Sequence, residues 1–238
     1  MTDHQILNFA DHQSLRVHTE AGAELGDGEM AYLAIPAEFR VLACEFPVVF
    51  RYNAANENFS ALALLGFESG ENLFLQDGNW DASCKPLAMS IQPFLVGRPQ
   101  DGEGQAQVHL DVDHPRVSKN GDGMRVFDDN GRPTPYLEQI SEMLGALDDG
   151  YQASGDFYAA LERYDLLEPF SMDVTMDDGK ENRMVGYHLI NEEKVQALEP
   201  GALAELHTAG YLEPIFMSIA SLGNLSKLVR RKNKLING

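Results

Sequence analysis

Two histidines and two aspartates fall within six positions in the segment His109-Leu110-Asp111-Val112-Asp113-His114, the richest run of ligating side chains in the sequence. A strand repeats every two residues, so His109 and Asp111 would share one face of it. A second histidine from elsewhere would complete the two-histidine, one-carboxylate set that holds non-haem iron. His188, in the apolar stretch NRMVGYHLI at 182–190, is the available third ligand. Iron is therefore the one cofactor these residues suggest, with His109, Asp111 and His188 as its ligands. The same residues also suit a simpler role, in which Asp111, Asp113 and His114 satisfy the backbone of a turn leading into Pro115.

Other chemistries find less support. A calcium loop built around Gly131 would start at Val126 and end at Leu137, and one built around Gly179 would end at Val185; none of the three can ligate, so Asp128-Asp129-Asn130-Gly131 and Asp177-Asp178-Gly179 read as turns. Neither a phosphate-binding glycine loop nor a GxSxG nucleophile elbow occurs. Cys44 and Cys84 lack CxxC spacing and read as reduced thiols in or near the core, with Glu45 the only conceivable helper beside Cys44. The catalytic residues are unknown on this reading, and the balance leans away from an enzyme.

Aromatic residues offer binding instead. Phe67, Phe74 and Trp80 lie among Gly66, Gly70 and Gly78 in GFESGENLFLQDGNW, where loops often present rings to a ligand, although core packing explains the same rings. A basic run, Lys227, Arg230, Arg231, Lys232 and Lys234, suits either a solvated helix end or a docking site for an acidic partner. The candidate partner-binding residues are thus Trp80, Phe67, Phe74, Arg230 and Arg231.

The elements that would position these residues fall into two parts. The region up to about residue 125 reads as strands and turns: 14–19, 29–35, 48–52, 59–67 and 72–76, with the apolar runs at 48–76 forming the centre of a sheet. Pro36 opens a short helix whose buried face carries Phe39, Leu42, Ala43 and Phe46, and Pro47 closes it. Phe94 to Gly97 pairs with Gln107 to Asp113 across a polar turn at 99–105. After a loop-like seam at 113–135, Thr134 and Pro135 start a mainly helical part, about 134–238. Leu137, Ile140, Leu144, Leu147, Phe157 and Leu161 place two stacked or kinked helices there. A hairpin over 172–190 turns at the Asp-Asp-Gly sequence, Asn191 caps one short helix, Pro200 begins another, and 211–232 forms a last amphipathic helix. The expected fold is α+β: a small mixed or antiparallel sheet in the N-terminal half with a hairpin near 172–190, covered by C-terminal helices, in one domain spanning 1–238.

Composition narrows the partners. With 18 Lys+Arg against 37 Asp+Glu, the formal net charge is -19. Such a surface repels phosphate backbones and anionic leaflets, which argues against nucleic acid and membrane adhesion and in favour of solubility. The start of the sequence lacks a basic then apolar leader, and the apolar stretch 212–225 is too short to span a bilayer and carries Glu213. A cytoplasmic protein without membrane insertion is expected, and a homo-oligomer is compatible with everything above.

Several segments in order resemble the SapC family: IPAEF and EFPVVF at 35–50, ALLGF and GENLFL at 63–75 with GNW after them, DVDHPR at 111–116, and FDDNGRPTPYL at 127–137. The series continues through LLEPF at 166–170, INEEKVQAL at 190–198 and AGYLEPIFMSIASLGNLSKL at 209–228, so it covers nearly the whole chain. The resemblance implies a bacterial accessory protein of a surface-layer or outer-membrane-uptake related system, acting through protein partners. It also allows a metal-dependent enzyme, or a partner of a tryptophan-halogenase-like or hydroxylase pathway, since genes of those kinds often neighbour the family's. The peptide-transporter permease of the same name is excluded, because a permease needs membrane spans. The family carries no established catalytic residues to transfer, His109 lies outside its pattern, and CKPLAMSIQPF at 84–94 departs from the family's usual Pro-Ala-x-x-x-Arg-x-Pro-Phe helix.

Overall fold

The computed structural model describes residues 3–55, 57–76, 78–98 and 106–238; the polar turn expected at 99–105 lies outside the described residues. The fold is α+β, with antiparallel sheets concentrated in the N-terminal half, a long hairpin after residue 166, and helices at the C-terminal end. The chain forms two compact units that interleave in sequence. The first takes the first 28 residues, Leu75–Trp80 and Leu87–Asp149; the second takes Glu29–Phe74, Asp81–Pro86 and Gly150–Gly238. The loop-like segment 113–135 therefore lies inside the first unit.

In the first unit, β1 (His4–Ile6) and β8 (Phe94–Gly97) flank β9 (Gln107–Asp111). The pairing of β8 with β9 confirms the expected hairpin. β2 (Arg16–Val17), shorter than the 14–19 segment expected, pairs with β10 (Met124–Arg125), while α1 (Phe9–His12) and α3 (Leu87–Ser90) are single turns. The core joins Val17, Ile91, Phe94, Leu110, Val126 and Phe127 to Leu137, Ile140 and Leu144 of the following helix. The arginine of DVDHPR holds the surrounding loops: buried Arg116 pairs with buried Asp27 at 2.5 Å and donates to the carbonyls of His18 and Glu20. An ion pair this deep requires both partners, because either charge alone would be stranded without solvent.

The second unit is built on one antiparallel sheet in the order β11-β12-β4-β5-β3. β4 (Val48–Asn53) and β5 (Asn58–Leu64) form its middle hairpin, with Val48, Val49 and Phe50 fully buried, as their continuous apolar run demands. β3 (Ala31–Ala34) closes one edge. β11 (Leu167–Thr175) and β12 (Glu181–Ile190) turn at Gly179, whose φ of +84° needs glycine, and β12 adds to β4 through Tyr187 opposite Arg51 and His188 opposite Phe50. The segment 72–76 does not join this sheet. The Asn72 carboxamide accepts the Phe74 N–H at 3.0 Å and bends the chain, and among the described residues β6 (Leu75–Gln76) pairs with β7 (Asn79–Trp80).

Helices cover the sheet. α2 (Phe39–Leu42), after the 3-10 turn Pro36–Glu38, buries Phe39 and Leu42, with Phe46 buried just beyond its end. α4 (Pro135–Arg163) is one 29-residue helix rather than the two expected. Its glycines cost about 1 kcal/mol each against alanine, and Gly150 is there for contact: a Cβ on it would lie 2.3 Å from Ile35 Cδ1. Tyr158 of α4 accepts the Ala61 N–H of β5 at 3.0 Å. α5 (Glu192–Gln196) is capped by Asn191 as its sequence predicts, and α6 (Pro200–Thr208) begins at Pro200. The last expected helix is two, α7 (Leu212–Ser221) and α8 (Asn224–Asn237). The break falls at Gly223, where buried Asn224 turns its amide to the carbonyls of Ala43 and Phe46. α7 lies on β4, its Ser221 hydroxyl accepting the Val48 N–H at 2.9 Å. Among the described residues no helix is long and apolar enough to cross a membrane.

Candidate binding groove

The iron ligands read from the sequence divide between the two units, His109 and Asp111 in the first and His188 in the second. Among the described residues no three His, Cys, Asp or Glu side chains stand together as a metal ion requires. His109 belongs to the first unit, and its ring lies across Gly97, where a Cβ would sit 2.0 Å from Nε2. Asp111 is buried and spends Oδ1 on the backbone N–H groups of Asp3 and Asp113, while His114 Nδ1 accepts the Arg116 N–H at 3.2 Å. Burial holds the His114 imidazole below the usual histidine range. The Asp111 and His114 side chains thus satisfy backbone groups of the turn. His188 belongs to the second unit, on β12, with its ring edge-on to Phe59 at 5.0 Å.

The aromatic candidates resolve mainly into packing. Phe67 and Phe74 are buried, and Phe74 stacks edge-on against Phe46 at 4.7 Å. Trp80 is half-buried on β7 opposite Leu75. The basic tail closes over Phe74: Arg231 lies 4.3 Å from its ring centre and binds Asp81 through Oδ2 at 2.7 Å and the main-chain carbonyl at 2.9 Å. Lys232 pairs with Glu71. Arg230 remains exposed, and among the described residues it makes no ion pair. Cys44 is exposed rather than in the core, because it lies well round the helical turn from the buried stripe Phe39, Leu42 and Phe46.

An open groove lies elsewhere in the second unit, between the C-terminal half of α4 and the α6–α7 corner. α6 ends in a Schellman arrangement: Gly210 has φ +76°, its N–H donates to the His207 carbonyl, and the Tyr211 N–H reaches back to the Leu206 carbonyl at 2.9 Å. That turn sets Tyr211 edge-on to Phe157 at 5.4 Å. On one side of Tyr211 a recess of about 300 Å³ is lined by Pro36, Ala37, Ala153, Phe157 and Pro214. On the other a recess of about 290 Å³ runs over Ala159, Ala160 and Leu206. Both include Ala209 and Tyr211, so they meet at that ring.

Charged groups rim the groove. Glu213 pairs with Arg40 at 2.5 Å, and Glu205 takes Tyr164 at 2.5 Å and Arg163 at 3.2 Å. Asp156 is exposed, and among the described residues it has no ion pair. Burial, with Asp156 adding to it, holds the Tyr211 hydroxyl above the usual tyrosine range. With Glu213 held by Arg40 and Glu205 by Arg163, Asp156 gives the rim its net negative charge. Sequence reasoning missed this site because its floor is alanine, which carries no chemical signal; only the Ala-Gly-Tyr stop at 209–211 pointed towards it.

The family model described as SapC matches residues 7–228. No curated protein and no solved structure matches the chain.

Proposed function

The chain belongs to the SapC family, and from that footing we propose a non-enzymatic binding protein that takes a short segment of a partner polypeptide into the Tyr211 groove. The observation that carries this reading is the meeting of two recesses at one half-buried tyrosine. Each recess has the volume at which small ligand pockets begin, about 300 Å³, enough for one large side chain. Small residues on α4 let a backbone approach closely, and Tyr211 with Phe157 supplies a rigid apolar wall. The acidic rim, within a chain of net charge -19, selects a cationic segment. The preferred occupant is therefore an aromatic or branched apolar residue flanked by Lys or Arg. Family likeness favours a bacterial surface-layer or outer-membrane-uptake system as the setting.

Panning a random peptide display library against the purified protein tests the proposal. The expected enrichment is Lys or Arg beside a Tyr, Phe or Leu anchor, with affinity falling at least about tenfold in Ala160→Trp, a change that fills one recess while leaving the unfolding midpoint in place. Failure to enrich, or selected peptides that bind Ala160→Trp as well as the parent, would refute it.

A further inference from the structure

The C-terminal end of α2 gathers the only two cysteines of the chain. Cys44 donates its thiol to the Arg40 carbonyl at 3.6 Å, and Cys84 donates to the next carbonyl, that of Val41, also at 3.6 Å. The Val41 carbonyl accepts the Cys44 N–H as well, at 3.3 Å. One residue further along, the Ser83 N–H and hydroxyl both bind Glu45 Oε1, at 3.2 and 2.6 Å. Residues 44–45 and 83–84 therefore run side by side, cysteine beside cysteine, with Cys44 exposed and Cys84 half-buried.

We infer that Cys44 and Cys84 form a redox-responsive dithiol, which a low-molecular-weight disulfide such as oxidised glutathione closes into an intramolecular disulfide. The exposed Cys44 thiolate attacks one sulfur of glutathione disulfide; a protein–glutathione disulfide forms, and one glutathione leaves as thiolate and takes up a proton. The Cys84 thiolate then attacks the Cys44 sulfur, expelling the second glutathione. Two cysteines are oxidised, two electrons and two protons pass to two glutathiones, and the new bond ties segment 81–86 to the end of α2. The order of events follows from exposure, since the attacking thiol must be reachable and its resolving partner need only be adjacent.

Several groups face this pair. Glu45 and Glu38 lie near Cys84, and Lys227 Nζ is 3.5 Å from the Cys44 carbonyl. Burial, followed by Glu45 and then Cys44, pushes the Cys84 thiol up to about 11. The second step is accordingly the slow one, and it quickens as pH rises.

Mass spectrometry of the reduced full-length protein, mixed with glutathione disulfide, provides the test. The expected course is a single-glutathione adduct on Cys44 giving way to a monomer two hydrogens lighter than the starting protein, with a crosslink joining the peptides of Cys44 and Cys84. Closure should accelerate by up to about tenfold per pH unit between pH 7 and 9. Cys84→Ser should keep the adduct, and Cys44→Ser should react at least about tenfold more slowly. A wild-type protein that stays glutathionylated without closing, or that forms only disulfide-linked dimers, would overturn the inference.

Discussion

Arg231 lies 4.3 Å from the centre of the Phe74 ring, and Arg163 lies 5.2 Å from that of Tyr164, yet the two corners of the second unit serve different ends. At Phe74 the neighbours are large: Phe46 stacks on one side, Leu73 is buried beside it, and Asp81 takes both ends of the guanidinium. At the α4–α6 corner the neighbours are Ala159, Ala160 and Ala209, and space remains. The same pairing of cation and ring becomes a lid where large side chains surround it and a rim where alanines do. Side-chain volume, more than charge or aromaticity, separates the closed corner from the open one.

Removing the ring at the closed corner is the most severe way to break that contrast. Phe74→Ala should cost about 3–5 kcal/mol, the range for emptying a buried phenylalanine site, read as a lowered midpoint in urea. Peptide affinity at the groove should survive wherever the variant stays folded. Tyr211→Ala should show the reverse, a small loss of stability with binding abolished. Equal midpoints for Phe74→Ala and the parent would remove the distinction.

A smaller effect separates the two arginines. Arg231→Lys should lose about 1 kcal/mol, because a lysine cannot bridge the Asp81 carboxylate and carbonyl while stacking on Phe74. Arg163→Lys should change stability by less than about 0.5 kcal/mol, since its bond to Glu205 is solvent-screened. Parity between them in thermal unfolding would mean that the tail is not a lid.

The finest probe is the Tyr211 hydroxyl. Its ionisation lies above the normal tyrosine range because burial and then Asp156 disfavour the phenolate. A cationic peptide in the groove stabilises the phenolate, so binding should bring the titration down in pH, as followed by ultraviolet difference spectra. By linkage, affinity for that peptide should rise as pH climbs through the tyrosine range. An upward or absent shift would place the cation elsewhere.

Much of the scaffold was legible in the residues. Continuous apolar runs identified β4 and β5, the Asp-Asp-Gly turn identified the β11–β12 hairpin, and Thr134-Pro135, Asn191 and Pro200 marked helix starts at or within a residue of where they occur. The errors trace to specific competition between forces. The two helices expected between Leu137 and Leu161 are one, because the close approach of Ile35 gives Gly150 a use inside a continuous helix. Leu222-Gly223 looked like helix interior until the Asn224 amide found the carbonyls left at the end of α2. Segment 72–76 carried strand residues, yet Asn72 diverted its backbone. Legibility was lowest at the candidate site, because the groove is made of residues such as Ala159, Ala160 and Ala209, whose virtue is being small.

Sheet order also governs how the chain is made. β12 must pair with β4, with His188 opposite Phe50 and Tyr187 opposite Arg51, so the β3–β4–β5 portion leaves the ribosome with one edge of β4 bare long before its partner is made. At ribosomal synthesis rates that interval is on the order of ten seconds. A nascent chain holding Val48, Val49 and Phe50 in that state is open to sticking to its neighbours. Yield during expression should therefore respond to translation speed between residues 65 and 180.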